Sequence, residues 1–357
     1  MINTILTGDS KEKLTLLANN SIDCVVTSPP YYGLRDYDTE GQIGHEQTPG
    51  DYIKNLVIVF REVYRVLKNE GTLWINIGDS YAGSGKGGSP TDREYKQRTN
   101  ASSSIGNIYD KDSEAIEHSK RINVTRKTFE GIKQKELIGI PWALAFALRA
   151  DGWFLRQDII WSKPSPMPEA VKDRFCKSHE YIFLFSKKNK YYFNFQYALE
   201  PATGYDNRKT ETVNRKKYDQ EVWGVSGARE RWSQRGYVGK EGSTGLAEQH
   251  HGVNIPTRPL RTKRDVWTIA SEPSVINHFA MFPEKLILPC ILCGCPEGGV
   301  VLDPFFGAGT TGIVAKKNNR KYIGCEINPA YVEIARRRIA DVDPLFNTEV
   351  EENECFS

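Results

Sequence analysis

Short apolar segments alternate with amphipathic ones along the first 80 residues. Strands are predicted over Ile2–Leu6, Ser21–Thr27 and Gly71–Ile77, which are short, apolar and contain several β-branched residues. Helices are predicted over Lys11–Ala18 and over Asp51–Leu67, and apolar residues recur at helical spacing in the second of these. Strands that alternate with helices indicate a parallel sheet covered on both faces.

The same alternation of strand and helix patterns returns in two later parts of the chain. A helix is predicted over Pro141–Ala150, followed by strands over Leu155–Trp161 and Tyr181–Ser186. Gly299–Arg338 has the pattern of strand, glycine-rich turn, helix, strand and helix. The predicted fold class is therefore α/β, with a doubly wound, mostly parallel sheet.

Two long polar stretches interrupt this pattern. Ala82–Lys133 holds ten basic and seven acidic residues and cannot supply much core, so it is predicted to be a mobile insertion. Pro201–Asp265 holds thirteen Lys or Arg against eight Asp or Glu, with tyrosines and tryptophans among them. The tail from Asp341 holds six acidic residues and no basic one, and it is predicted to be frayed.

Composition narrows the class of protein. Hydrophobic residues make up 39% of the 357 positions, enough for a core, and the net charge of +3 means that any basic surface is local. No run of about 18 apolar residues predicts a membrane span, and Met1–Lys13 lacks the layout of a signal peptide. We therefore expect a cytoplasmic protein with reduced thiols.

Cys290, Cys293 and Cys295 form the one cysteine cluster that could suggest a metal site. A closed zinc site needs four ligands, and no further CxxC or HxxxH pair lies nearby. The cluster also coincides with the apolar run Leu286–Cys293. Buried thiols are expected here, and no metal.

The first motif with chemical content is VLDPFFGAGTTG, at Val301–Gly312. An apolar strand ends in Asp303, and a turn containing Gly307 and Gly309 leads into a helix. Glycines let the backbone approach a ligand closely. The next strand ends in Glu326, and a carboxylate at that place suits a ribose diol.

The same glycines also match the dinucleotide fingerprint, as Gly307-x-Gly309-x-x-Gly312. A nicotinamide enzyme is disfavoured because its pyrophosphate site needs further sheet downstream, whereas 45 residues follow Gly312 and the last of them are predicted to be frayed. The dinucleotide fingerprint also does not require the Asp-Pro-Phe that precedes it here.

The second motif is Thr27-Ser28-Pro29-Pro30-Tyr31, directly after a predicted strand. Two prolines stiffen the loop because each fixes φ and removes a backbone donor. The carbonyls of Ser28 and Pro29 can then point outward as acceptors, and Tyr31 can offer a flat face. Such a loop could hold both protons of an amino group so that the nitrogen lone pair points at a methyl donor. Alone, the motif could equally be a proline turn that closes a buried strand.

Together these residues resemble the DNA amino-methyltransferases of bacteria and their phages, which make N4-methylcytosine or N6-methyladenine. Thr27–Tyr31 resembles the catalytic motif, Asp303–Thr311 the S-adenosylmethionine loop, and His278–Leu286 the segment before that loop. Ile159–Pro168, with the strand region from Ser178, resembles late-sheet strands and the loop flanking the target base. A catalytic motif that precedes the cofactor motif is the permuted order of the family's beta class.

The resemblance implies a role for each residue of the catalytic motif. Ser28 and Pro29 would hold the target amino group, and Pro30 is the next residue of the same catalytic motif. Tyr31 would stack on the flipped base, since base–aromatic stacking contributes about 1–3 kcal/mol. The enzyme would flip the base out of the duplex at a cost of a few kcal/mol and use neither a covalent intermediate nor a metal.

The resemblance also implies a set of residues that bind S-adenosylmethionine. Glu326 would bind the ribose hydroxyls, and Phe279 and Lys285 are further candidates. Asp9 ends the strand expected beside the catalytic one and could face the base or the cofactor. Asp9 and Lys285 could equally be a helix cap and a surface charge. The cofactor pocket would be lined by Asp303, Pro304, Phe305, Gly307, Gly309, Thr310 and Thr311.

The implied organisation is a methyltransferase domain with two insertions. Residues 1–81 and 134–196 would form its catalytic half and residues 266–340 its cofactor-binding half, with 82–133 inserted and 341–357 a disordered tail. Residues 197–265 would read the target sequence. The implied substrate is double-stranded DNA, without a membrane partner. A homodimer and a restriction endonuclease acting on the same site are left open.

Four alternatives remain beside this interpretation. A cytosine-C5 enzyme needs a Pro-Cys nucleophile at the end of the catalytic strand, but Pro289-Cys290 lies before the cofactor loop and Ser28 occupies that place. RNA and protein-glutamine methyltransferases usually carry the cofactor loop first. An inactive DNA-binding module is disfavoured because both motifs are intact. Within the family, Ser28 favours N4 of cytosine, and N6 of adenine stays open.

Overall fold

The computed structural model of the protein describes residues 2–33, 41–82, 131–166, 168–169, 171–201, 260–271 and 281–342. The strands in these residues are β1 (Thr4–Thr7), β2 (Ile22–Thr27), β3 (Leu67–Ile77), β4 (Phe154–Ser162), β5 (His179–Ser186), β6 (Leu199–Pro201), β7 (Leu260–Thr262), β8 (Val266–Thr268), β9 (Val300–Asp303) and β10 (Lys321–Glu326). The helices are α1 (Ser10–Lys13), α2 (Pro49–Val66), α3 (Ile140–Ala150), α4 (Glu284–Gly294), α5 (Thr310–Lys317) and α6 (Pro329–Ala340).

Eight of these strands form one sheet in the order β1-β10-β9-β2-β3-β5-β4-β8. The pairs from β1 to β3 are parallel, as is the pair of β4 and β8. Only β5 runs against its neighbours β3 and β4 within the described sheet. The mostly parallel α/β sheet predicted from the sequence is therefore confirmed.

Helices cover both faces of this sheet, as the alternation of side chains along its strands requires. Val25 and Leu73 belong to the core that also contains the buried residues of α2 and α3. The intervening side chains, including Cys24 and Thr72, face the other way. There Thr72 Oγ1 donates to the carbonyl oxygen of Gly294, at the end of α4, over 3.1 Å.

Two predicted helices differ from the structure by more than one residue at one end. Helix α2 starts two residues earlier than expected because Pro49 takes the first position and Thr48 Oγ1 accepts the Asp51 N–H over 3.1 Å. The helix predicted over Lys11–Ala18 is wrong in length, since α1 is followed by a 3₁₀ turn at Leu14–Leu16. The Arg65 guanidinium donates to the carbonyl oxygens of Leu14, in this turn, and of Leu17, directly after it.

The cysteine cluster is buried, as the sequence predicts. Cys290 and Cys293 lie inside α4, Cys295 follows it, and each is at most 3% exposed. Burial raises the pKa of the Cys295 thiol to about 12, so this thiol is neutral at physiological pH.

No helix among the described residues is long and apolar enough to cross a membrane.

A second compact unit covers Ala198–Lys263. Its described part is the antiparallel pair of β6 and β7, in which Glu200 faces Arg261 at 2.9 Å. Most of the region predicted to read DNA, residues 202–259, lies outside the described residues, and so do positions 83–130 of the predicted insertion and 343–357 of the tail.

Candidate active site

The two sequence motifs lie side by side at one edge of the sheet. Ser28 follows the last residue of β2, and Asp303 is the last residue of β9, which pairs with β2 in parallel. Glu326 ends β10, the next strand along. Because parallel strands end at the same edge, a segment near the start of the chain meets two segments near its end there, at the place where open α/β sheets bind ligands.

A cleft of about 850 Å³, which includes space open to solvent, lies at this edge. Nine predicted site residues line it, namely Asp9, Ser28, Pro30, Asp303, Pro304, Phe305, Gly307, Thr310 and Glu326. The sequence interpretation did not single out several others: Ser10, Gln42, Ile43, Met281, Phe282, Ile327 and Tyr331.

Asp303 is a buried carboxylate that joins the two motifs. Its Oδ1 accepts the Thr27 hydroxyl over 2.6 Å and the Phe305 N–H over 3.0 Å. Its Oδ2 accepts the Thr311 hydroxyl over 2.7 Å. Burial raises the pKa of this carboxyl to about 6, and the three hydrogen bonds oppose the rise. Asp303 thus ties the end of the strand before Ser28 to the turn that follows β9.

Glu326, at the end of the neighbouring strand β10, binds the backbone of the glycine-rich turn. Its Oε2 accepts the Gly307 N–H over 2.7 Å, and its Oε1 accepts the Asn328 N–H over 2.8 Å. The side chain is 8% exposed, and burial raises its pKa despite these bonds. Each carboxylate oxygen has a second acceptor site, so Glu326 can still bind hydroxyl groups in the cleft.

Gly309 and Thr311, two predicted cofactor residues, are not among the residues that line the cleft. Gly309 caps α5 with φ of 81°, and a Cβ there would lie 2.8 Å from the Cβ of Ala335 on α6. Thr311 is 1% exposed and bonded to Asp303. Their observed contacts are with the turn and its supporting helices.

The loop after β2 is held in place by tyrosines. The Tyr52 hydroxyl of α2 donates to the Pro30 carbonyl over 2.8 Å, and Pro29 is buried. Tyr31 is half-buried and its hydroxyl donates to Glu180 Oε2 over 2.6 Å. A Cβ at Gly78 would lie 2.9 Å from the Tyr31 ring, so only glycine leaves room for this placement.

Glu180 and Lys163 are polar residues of the site that sequence reasoning did not single out. Glu180 Oε2 also accepts the side-chain amide of Asn76 over 3.2 Å, and Oε1 pairs with the Lys163 ammonium group. Lys163 lies 4.2 Å from the centre of the Trp161 ring. Burial and the nearby Glu180 charge raise the pKa of Tyr31, which stays a neutral hydrogen-bond donor.

Three candidates for cofactor binding remain from the sequence, namely Asp9, Lys285 and Phe279. Asp9 was expected beside the catalytic strand, but β10 and β9 separate its strand β1 from β2. Asp9 nonetheless lines the cleft, and its Oδ1 caps α1 by accepting the Lys11 N–H over 2.8 Å. Lys285 is exposed on α4 and is not among the lining residues. Phe279 lies outside the described residues.

Comparison with known proteins finds a matching family and relatives that align with this chain over most of their length. The family model N6_N4_Mtase, DNA methylase, matches residues 22–337. The type II methyltransferase M.SmaI of Serratia marcescens is 40% identical over 94% of this chain and 90% of its own length. M.XycI of Xanthomonas campestris pv. cyanopsidis is 38% identical over 94% and 87%, and M.Cfr9I of Citrobacter freundii is 37% identical over 95% and 88%.

Solved structures share the fold at lower sequence identity. The DNA modification methylase TTHA0409 of Thermus thermophilus, complexed with S-adenosyl-L-methionine, has a TM-score of 0.54 at 21% identity and covers 96% of both chains. The cytosine-N4-specific PvuII DNA methyltransferase has a TM-score of 0.55 at 17% identity, over 96% of this chain and 91% of that one. These likenesses agree with the α/β sheet described above.

Proposed function

Because the chain belongs to the N6_N4_Mtase family of DNA methylases, we propose that it methylates the N4 amino group of a cytosine within a specific DNA sequence. The enzyme is a DNA amino-methyltransferase that uses S-adenosylmethionine, with which the structure of TTHA0409 is complexed. One observation carries the location of its site: the loop at Ser28 and the turn at Asp303 leave adjacent strands and line one cleft.

The chemistry of the cleft fits S-adenosylmethionine. Glu326 offers acceptors for the two ribose hydroxyls. Asp9 and Asp303 bring carboxylates to a cofactor that carries a positive sulfonium and a positive ammonium group. An apolar wall suitable for a purine ring is supplied by Phe282, Phe305, Ile327 and Tyr331.

When bound, S-adenosylmethionine supplies an electrophilic methyl group. The chain's own task is to orient the amino group of the base. In this proposal the carbonyls of Ser28 and Pro29 accept its two N–H groups and leave the nitrogen lone pair free to react. The loop is rigid beforehand, since two prolines fix its backbone and Tyr52 holds the Pro30 carbonyl. The Tyr31 ring would face the flipped base while its hydroxyl stays bound to Glu180.

The choice of base rests on Ser28, which lines the cleft at the position where serine is commoner in the N4-cytosine branch. The N6 amino group of adenine needs the same two acceptors and is the alternative. We also propose that the chain works in the cytoplasm with a restriction endonuclease that cuts the same site, because its relatives at 37–40% identity are named type II methyltransferases. Sedimentation velocity would tell whether it acts as a homodimer.

The test is mass spectrometry of nucleosides. The enzyme is incubated with unmethylated bacterial DNA and S-adenosylmethionine, and the digested DNA is analysed for methylated bases. N4-methyldeoxycytidine is expected. N6-methyldeoxyadenosine would overturn the choice of base, and no methylated nucleoside from an enzyme that binds the cofactor would overturn the proposal. Ser28→Ala keeps the backbone carbonyl but removes the hydroxyl that bonds to Tyr31, so it should lower turnover through a misplaced Tyr31 more than it lowers cofactor affinity. Ser21→Ala, whose hydroxyl bonds to Ala18 away from the cleft, should change neither.

A further inference from the structure

Phe175 is an aromatic side chain in solvent at the catalytic edge of the sheet. It is 96% exposed, the highest value among the large hydrophobic side chains described. Burying an aromatic side chain of this size is strongly favourable. A phenyl ring held almost wholly in water is therefore a candidate for contact with another molecule.

The segment that carries Phe175 leaves the same edge as the catalytic loop. Strand β5 runs antiparallel to β3, so its first residues lie beside the last residues of β3, with Tyr181 opposite Ile77. Glu180, five positions after Phe175, receives the hydrogen bond of Tyr31. Five residues of chain span at most about 17 Å. The Phe175 backbone therefore lies at most about 17 Å from that of Glu180, which contacts the loop proposed to hold the target base.

Neighbouring side chains fix the backbone on both sides of the ring. The Arg174 guanidinium stacks on Tyr81, with 3.8 Å from its central carbon to the ring centre, and pairs with Glu169. On the other side, the Lys177 ammonium donates to the Asp79 carbonyl over 2.5 Å. Phe175 is therefore presented to solvent from an anchored segment.

The charge around Phe175 fits a polyanion. Lys163 to Lys177 contains four basic and two acidic residues. Lys163 and Arg174 pair with Glu180 and Glu169, while the acidic Asp173 pairs with Lys135 outside the segment at 2.8 Å. Basic side chains beside an aromatic ring are the combination that binds nucleic acid, through phosphates and through stacking on bases.

We infer that Phe175 inserts into the DNA stack and occupies the space that the flipped target base leaves. This inference rests on the proposed function, because it needs a base that is flipped. Apolar wedges that enter a base step are a known way to stabilise distorted DNA. Flipping costs free energy, and a ring that restores stacking in the gap offsets part of that cost.

The test compares Phe175→Ala with the native enzyme on two duplexes that carry the recognition site, which is first located by sequencing DNA that the native enzyme has methylated. In one the target base is paired normally, and in the other it stands opposite an abasic position, where flipping is less costly. The value of kcat/KM for the variant should fall about 5- to 100-fold on the paired duplex, the range expected for a lost stacking contact. On the second duplex the loss should be much smaller.

Phe154→Ala serves as the matched control, since Phe154 is 45% exposed at the start of β4, the opposite edge of the sheet. An equal loss on both duplexes would mean that Phe175 only contacts DNA, and no loss would mean that it contacts none; either result overturns the inference. A change in sedimentation with unchanged kcat/KM would assign the ring to self-association instead. Failure of the native enzyme to methylate either duplex would count against the proposed function, independently of Phe175.

Discussion

Asp303→Asn should separate the structural role of Asp303 from its proposed role in binding the cofactor. The asparagine oxygen can keep the hydrogen bonds from Thr27 and from the Phe305 N–H. Its amide group would replace Oδ2, which accepts the Thr311 hydroxyl. That hydroxyl can turn, accept from the amide, and donate to the Val26 carbonyl, which is 3.5 Å away. Every hydrogen bond therefore has a replacement, while the charge is lost.

The magnitude follows from the pKa of Asp303. Burial raises it from 3.8 to about 6, so the native state holds this proton more tightly than the unfolded state. Stability therefore falls as the pH rises from about 4 to about 6, and above that range the ionised carboxylate costs about 3 kcal/mol. At pH 7 the variant should be more stable than the native protein by up to that amount. The difference should shrink towards zero near pH 4, where both are neutral.

Urea unfolding of both proteins at pH 7, 5.5 and 4 measures this difference, and titration calorimetry measures the affinity for S-adenosylmethionine. Loss of a charged partner for the cofactor should weaken binding about 10- to 100-fold. Asp23→Asn is the control, because Asp23 bonds to Lys68 and to the Val300 N–H and is not among the residues lining the cleft. A variant less stable than the native protein at pH 7 would refute the argument from burial, and an unchanged affinity would refute the cofactor role.

Two further substitutions test the supports of the site. Glu180→Gln keeps the size of the side chain but removes the charge opposite Lys163. Because Tyr31 would then be misplaced, kcat should fall about tenfold while the cofactor dissociation constant stays unchanged. Steady-state kinetics and calorimetry check this, and a matching loss of cofactor affinity would contradict it. Gly309→Ala places a Cβ at a residue with positive φ, 2.8 Å from the Cβ of Ala335. This substitution should lower the free energy of unfolding by about 1–3 kcal/mol. An unchanged midpoint of urea unfolding would show that α6 can move to accommodate the methyl group.

The meeting of the two motifs could be predicted from the sequence because both follow short apolar strands. Parallel strands end at one edge, so a proline loop after β2 and an acidic turn after β9 are brought together if the strands are neighbours. The pairing of Val25 with Leu302 makes them neighbours. The 276 positions between Thr27 and Asp303 do not matter once that pairing exists.

Glu180 could not be identified in the same way. The sequence showed it only as a polar residue at the start of an apolar segment, and in a parallel strand that end would lie away from the site. The reversed direction of β5 is what brings Glu180 to Tyr31. The chain reverses direction in the connection between β4 and β5, residues 163–178, and that reversal leaves no local signal in His179–Ser186.

The position of Asp9 could not be predicted from the sequence for a related reason, since it depends on the order of the strands in the sheet. That order also explains how one site forms although the catalytic motif precedes the cofactor motif. Strand β1 pairs with β10, so the first residues of the chain lie beside the last strand of the predicted cofactor-binding half. The Gly8 N–H donates to the Glu326 carbonyl over 2.8 Å, which places Asp9 next to the residue proposed to bind ribose. Sheet order therefore decides which residues meet in the cleft, and the chain can begin or end at different strands as long as β1, β10, β9 and β2 remain neighbours in that order.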